Sequence, residues 1–401
     1  MTKHIYYIDS ILGKIAKKLE AFISDGKLSP SRSTFIYGTD KFSFALRTLL
    51  VKRGFLIAGY IEPNKSKILT VLREEKDFAA RFLNSTDALI PIIEPSQDFF
   101  ATLDDVQVLI VSREAVAVSA SLTALRLKEE QIIVVFDWSP DEFDALVKEK
   151  AKIGHRELQF IEKDILHYVD EFCLKNNLRY WVCGGTLLGT IRHKGFIPWD
   201  DDVDIFLPYE DYCRFVEIFD GGGRYEILQR DIKYPQNFVL PFYKVIDTQT
   251  AMRDDFNMYR GIYAAFIDVF PLVGLPTEDN ARHDFFDRFN ESIKSMWETF
   301  YTNDGDISKF SSHYIFQDNM MKQYAFDIAD FVGVLGTPYK DKDCTPKNVY
   351  DDTLRLPFDD ISVNVPKGYE IYLKNLYGKD WSAVPDPDEQ KSHHLFEVYW
   401  L

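Results

Sequence analysis

Cysteine is scarce in this chain: there are four in 401 residues, at Cys173, Cys183, Cys213 and Cys344. None forms a Cys-x-x-Cys pair, and their spacing suits neither a zinc site nor a dense disulfide framework. Reduced thiols in a cytoplasmic compartment are expected instead. Long apolar runs are also missing, and none approaches the ~18–20 residues that span a bilayer. The N-terminal stretch MTKHIYYIDSILGKIAKKLEAFI has no uninterrupted apolar region and no small-residue cleavage site, so no signal peptide is expected. Positive charge is in deficit, with a formal net charge of −16. That balance gives no global attraction for nucleic acid or anionic lipid, so any bound phosphate needs a local pocket or a metal.

What is present describes a folded chain. Hydrophobic residues make up 46% and aromatics 15%, enough for a sizeable core and too much for disorder. The length suggests two or three domains. Ile8, Leu12, Ile15, Leu19 and Phe22 recur at helical spacing, with lysines at 14, 17 and 18 on a polar side. Such a stripe suits the protein's own body, with peripheral membrane contact as the alternative.

Strand-like runs then alternate with helical patterns. Strands are expected over 34–38, 55–61, 88–93, 106–112 and 131–138. Helices are expected over 40–53 and 65–83, with another between the last two strands. Alternation of this kind implies a parallel sheet with both faces covered, so residues 1–150 read as an α/β, Rossmann-like domain. Its first strand-to-helix turn, YGTDKFSF, carries one glycine, Gly38. Close approach of a pyrophosphate to the backbone requires more small residues than that. NAD binding is therefore not expected, and the domain's ligand is left open.

A helical pattern over 141–177 carries the stripe Leu158, Ile161, Ile165, Val169 and Phe172, which reads as ordinary core. The second domain, 151–401, opens its chemistry at Gly184-Gly185-Thr186. Two glycines before a helix leave backbone N–H groups open to an anion. Next comes the run GFIPWDDDVDIF (195–206), in which four of the five positions 200–204 are aspartate. Like charges this close repel, and burying them unpaired is costly. With a strand over 202–207, Asp202 and Asp204 share one face, spaced roughly 6.6 Å apart along the chain. Their carboxylates could then converge on a cation. Oxygen donors with no histidine or cysteine beside them suit Mg²⁺ or Mn²⁺. Asp268 lies alone in a second apolar strand-like run, 261–276, where a carboxylate is costly unless something binds it. Arg192, His193 and Lys194 are candidates for phosphate contact, Arg192 first because its fork fits phosphate oxygens. Lys244 is a further candidate. Trp199 could stack on a base or an alcohol headgroup, or anchor the loop.

The order Gly-Gly-Thr, Asp-x-Asp, single Asp is the pattern of the nucleotidyltransferase superfamily. The wording GGTLLGTIRHKGFIPWDDDVDI strongly resembles the LicD family, which includes bacterial phosphorylcholine transferases and fukutin-type proteins. YKVIDTQT (243–250), IDVFPL (267–272) and the tail VPKGYEIYLKNLYGKDWSAVPDPDEQKSHH (365–394) are similar to further blocks of that family. The resemblance covers about residues 160 to 394. It implies an α+β nucleotidyltransferase-fold catalytic domain that moves a phospho-alcohol from a CDP-alcohol donor to a glycan acceptor, free or lipid-linked, and releases CMP. The alcohol would be of the choline, glycerol or ribitol type. Asp202, Asp204 and Asp268 would hold Mg²⁺, with Asp268 as third ligand or general base. Asp200 and Asp201 would join or support that set. His393 and His394 enter through the family's tail. Nucleotidylyl transfer with release of pyrophosphate, and a non-catalytic glycan- or nucleotide-binding role, are the competing readings. No nucleic-acid partner is expected.

Overall fold

The computed structural model describes residues 11–38, 41–63, 91–101, 105–112, 115–137, 146–230, 240–254, 262–302, 310–337, 339–390 and 396–401. The chain divides into two compact units. One comprises Ile8–Ala145 and Trp297–Ile307, the other Leu146–Met296 and Ser308–Leu401.

In the first unit, strands β1 (Ser33–Tyr37), β2 (Ile57–Ile61), β3 (Ile92–Ile93), β4 (Val106–Ser112) and β5 (Ile132–Asp137) lie in the order β3-β2-β1-β4-β5. Every neighbouring pair is parallel, and the order is that of a doubly wound sheet. Phe35, Ile36, Ile61, Val108, Leu109 and Ile110 are buried. Their strands read as continuous apolar runs because such a sheet has no solvent face. Helices Lys41–Lys52 and Ala115–Ala124 fall where the pattern placed them. The helix expected over 65–83 lies outside the described residues. The N-terminal helix runs Ile11–Ser24, and Ile15 and Leu19 of its stripe are fully buried. Its apolar face is thus occupied by the protein itself.

The expected helix over 141–177 is corrected. It begins at His155, preceded by Gly154 in an extended conformation. Glu149 has φ +67°, so the chain turns where periodicity suggested continuity. Polar and apolar residues near 146–154 continue the repeat by coincidence, while the backbone does not.

The second unit contains β6 (Trp181–Val182), β7 (Asp204–Pro208), β8 (Tyr225–Leu228), β9 (Tyr243–Asp247), β10 (Thr250–Asp254), β11 (Ile262–Tyr263) and β12 (Phe266–Leu275). After them come β13 (Phe331–Gly333), β14 (Thr345–Pro346), β15 (Thr353–Phe358), β16 (Ile361–Pro366) and β17 (Phe396–Trp400). The main sheet runs β14-β13-β12-β7-β6, and β9 pairs with β12 and β8. β12 is its axis, parallel to β7 and antiparallel to β9 and β13. β9 leaves β12 after Val269, and β13 joins at Val273. Pro271 falls in that gap, a position that tolerates a residue with no N–H to donate. β10 is flanked by β11 and β17, and β15 pairs with β16. The core gathers Val203, Ile205, Leu207, Ile267, Val269 and Tyr243 around these strands.

Candidate active site

β7 and β12 bring the separated acids together. In their parallel register Asp268 stands opposite Asp204. On the other edge of β12, Asp268 stands opposite Lys244. The three side chains therefore form a row across neighbouring strands. Lys244 donates to the Asp268 carboxylate, is 2% exposed, and holds its Nζ 3.3 Å from the centre of the Phe266 ring. A buried ammonium is tolerable there because a carboxylate and an aromatic face receive its charge. Lys244 thus serves Asp268 directly, a role the strand pattern did not disclose.

β7 begins at Asp204, so Asp202 and Val203 precede the strand, a correction to the span 202–207. Val203 and Ile205 are fully buried and Asp202 and Asp204 are partly exposed, so the alternation of faces survives without strand pairing at Asp202. The Asp268 N–H donates to the Val203 carbonyl at 2.8 Å, which extends the tie between the two acid-bearing segments. Upstream, carboxylate oxygens of Asp200, Asp201 and Asp202 lie within 4.8 Å of one another, and Asp200 and Asp201 are buried. Burial first, then the charges of Asp202, Asp268 and Asp200, push the Asp204 carboxyl well above its usual range, with Lys244 opposing. Such crowding is what a divalent cation relieves.

The two glycines meet this cluster at close range. They are the first residues of the helix Gly184–Arg192, not a turn ahead of it. A Cβ on Gly184 would stand 2.9 Å from Asp204 Oδ2, and one on Gly185 would stand 2.6 Å from Asp200 Oδ2. Only a residue without a side chain lets the carboxylates approach the helix start this way. Gly184 also has φ +51°. The N–H of Gly184 donates to the Tyr372 hydroxyl at 3.2 Å, so that donor already has a partner. Thr186 accepts from the Asp204 N–H on its hydroxyl at 2.8 Å, fixing the first residue of β7.

The basic turn after this helix separates by role. Arg192 is half-buried and donates Nη1 to the Ala383 carbonyl at 2.6 Å. Burial lowers its pKa, and the charges of Tyr377 and Asp200 oppose that shift. His193 lies edge-on to Trp199 with centroids 6.1 Å apart, and its pKa is lowered by burial and then by Arg192. Trp199 packs partly buried against the core. Lys194 is exposed, has φ +64°, and folds its Nζ back onto the Ile191 carbonyl at 3.0 Å. Among the described residues no hydrogen bond or ion pair brings it to the acids. His393 and His394 lie outside the described residues.

Several residues near the acids were not anticipated. Gln159 donates Nε2 to the Asp200 carbonyl at 2.9 Å and to the Ile197 carbonyl at 3.4 Å. It clamps the acidic loop to the helix His155–Asn176. Glu162, one turn on, is 2% exposed. Its position on the stripe between Leu158 and Ile165 was a legible signal, since a glutamate on a buried helix face needs a reason. The phenols of Tyr339 and Tyr377 are raised by burial first, and both feel the charges of Asp204 and Asp200.

A family model described as "LicD/FKTN/FKRP, nucleotidyltransferase domain" matches residues 177–328, the stretch that contains the acidic loop, β7, β9 and β12. Over that stretch the chain is similar to LicD-family phosphotransferases. Over 267 residues it is 28% identical to the lipopolysaccharide cholinephosphotransferase LicD of Haemophilus influenzae, covering 62% of this chain and 99% of that protein. Over 34 residues it is 56% identical to the ribitol 5-phosphate transferase FKRP of Homo sapiens, which is 8% of this chain and 7% of that protein. Among the described residues no helix is long and apolar enough to cross a membrane.

Proposed function

We propose that this chain is a LicD-family enzyme that transfers a phospho-alcohol from a CDP-alcohol to a hydroxyl of a cell-surface glycan and releases CMP. The observation that carries the reading is the register of Asp204, Asp268 and Lys244 across β7, β12 and β9. It lies within a region similar to transferases of phosphocholine and of ribitol phosphate. The sheet order around that row also supports a nucleotidyltransferase fold for a catalytic domain over 151–401.

The donor set fits a hard divalent cation. It consists of carboxylates alone, and two glycines remove the Cβ atoms that would crowd them. Asp202, Asp204 and Asp268 would hold Mg²⁺ or Mn²⁺. Bound there, the cation would neutralise charge on the donor's diphosphate. Asp268 already receives Lys244, which favours a holding role over that of general base. The backbone of Asp204 is fixed through its N–H by Thr186, which sets the point from which its side chain extends. Arg192, which feels the charge of Asp200, offers a fork for phosphate oxygens. In the transfer, the acceptor oxygen bonds to the phosphorus bearing the alcohol. The bond from that phosphorus to the CMP oxygen breaks, and the acceptor proton leaves to a carboxylate or solvent. Four cysteines without disulfide partners fit a cytoplasmic location, at the inner membrane face where the acceptor is lipid-linked.

Product analysis tests this reading. The protein is incubated with Mg²⁺, acceptor glycans and each of CDP-choline, CDP-ribitol, CDP-glycerol and CDP-ethanolamine, and CMP is quantified. CMP from one donor is expected. Pyrophosphate from a nucleoside triphosphate, with no CMP from any CDP-alcohol, would favour nucleotidylyl transfer instead.

A further inference from the structure

The helix His155–Asn176 brings one more carboxylate to the acidic loop. Gln159 fixes which face of that helix meets the loop, because its amide donates to the Asp200 and Ile197 carbonyls. Glu162 lies three residues on, along the same face. It is 2% exposed, and its Oε2 has no hydrogen-bond partner among the described residues. The charges that act on it are those of Asp202, Asp201, Asp200 and Asp204, in decreasing order, after burial itself. Oxygens of Asp200, Asp201 and Asp202 already lie within 4.8 Å of one another. A buried carboxylate with an unsatisfied oxygen, in the field of three others, is costly as an anion unless a cation offsets their charge.

We propose that Glu162 is a ligand of a divalent cation held together with Asp200, Asp201 and Asp202. The inference rests on the cation reading of the acid cluster above, since Asp202 is common to both sets. Oxygen donors select Mg²⁺, Mn²⁺ or Ca²⁺ over zinc. The cation would tie the helix to the acidic loop, so its binding is readable as stability as well as affinity.

The test uses the full chain and Mn²⁺ alone, read by calorimetric titration, by the electron paramagnetic resonance of free Mn²⁺, and by thermal melting. Wild type is expected to bind Mn²⁺ and to melt higher with it. Glu162→Gln is expected to bind Mn²⁺ about 10-fold or more weakly and to lose most of the melting gain. Without metal it should melt no lower than wild type, because the amide removes a repelling charge. Glu162→Asp keeps the charge with a shorter reach and should be intermediate; it carries the test if the amide variant does not fold. Unchanged Mn²⁺ affinity and an unchanged melting gain in the folded variant would overturn the proposal. Wild type that binds no Mn²⁺ at millimolar concentration would overturn it as well. Failure of wild type to release CMP would sink the transfer reading alone, leaving the Mn²⁺ result for Glu162 to stand.

Discussion

Single carboxylates here are set by their neighbours. Asp204 is pushed up by burial and by Asp202, Asp268 and Asp200, so its charge costs the fold stability. Asp204→Asn should cut CMP release by ~10²–10³-fold, the size expected when a charge-stabilising group is lost. The same variant should melt at or above wild type without metal, and a cooperative melt at lower temperature would count against this account. Asp343 offers a case away from the acid row. It is 3% exposed, burial raises its carboxyl to about 6, and a hydrogen bond from Thr337 opposes the rise. A pKa raised in the fold means that the folded state holds the proton more tightly. The stability this gives is full below the unfolded value near ~4 and is lost as pH rises through about 6. Asp343→Asn should therefore melt higher than wild type above pH 6 and equal to it near pH ~4. A difference of the same size at both pH values would contradict the assignment. At this scale Asp268 stands out in the sequence as a charge in apolar surroundings, and Asp202 and Asp204 by their alternation with Val203 and Ile205. Lys244 reads in the sequence as a phosphate candidate alone, since its partner lies 24 residues away across a strand pair.

At the scale of elements, the helix Gly184–Arg192 packs tightly on the loop 195–200. A Cβ on Gly185 would meet the Asp200 carboxylate at 2.6 Å, whereas one on Gly189 would meet the Gly195 carbonyl oxygen at 2.5 Å. The two alanine variants should therefore part company. Gly185→Ala displaces a side chain and should reduce transfer and Mn²⁺ affinity with little change in melting. Gly189→Ala meets backbone, which cannot swing aside, and should cost stability of about 1–3 kcal/mol, read by denaturant unfolding. Equal effects on both properties in both variants would refute the distinction. Among the described residues of the first unit, strand positions were readable because a parallel sheet buries both faces of each strand, which leaves unbroken apolar runs. The start of the helix at His155 was not, because its stripe continues into Leu146 and Val147 and only the backbone turn near Glu149 ends it. Nor was the pairing of β7 with β12, which depends on long-range register that no local period encodes.

For the whole molecule, a doubly wound sheet unit accompanies a transferase unit built on an acid row. The strand order β3-β2-β1-β4-β5 alone would suggest a dinucleotide, but Gly38 is the single glycine of the first strand-to-helix turn. Titration with NADH should accordingly give no fluorescence enhancement, and saturable enhancement at micromolar concentration would reverse that view. The net charge of −16 makes local neutralisation the condition for handling a CDP-linked donor, and the acidic loop with the cation proposed for it is where that would occur. The most direct test compares Mg²⁺-dependent CMP release from the panel of CDP-alcohols, with acceptor glycan present, in wild type and in folded Asp204→Asn. Release by wild type that is abolished by chelation, and cut by ~10²–10³-fold in the variant, is the predicted result. Equal release by both proteins in the presence of Mg²⁺ would contradict the assignment of the acid row as the active site.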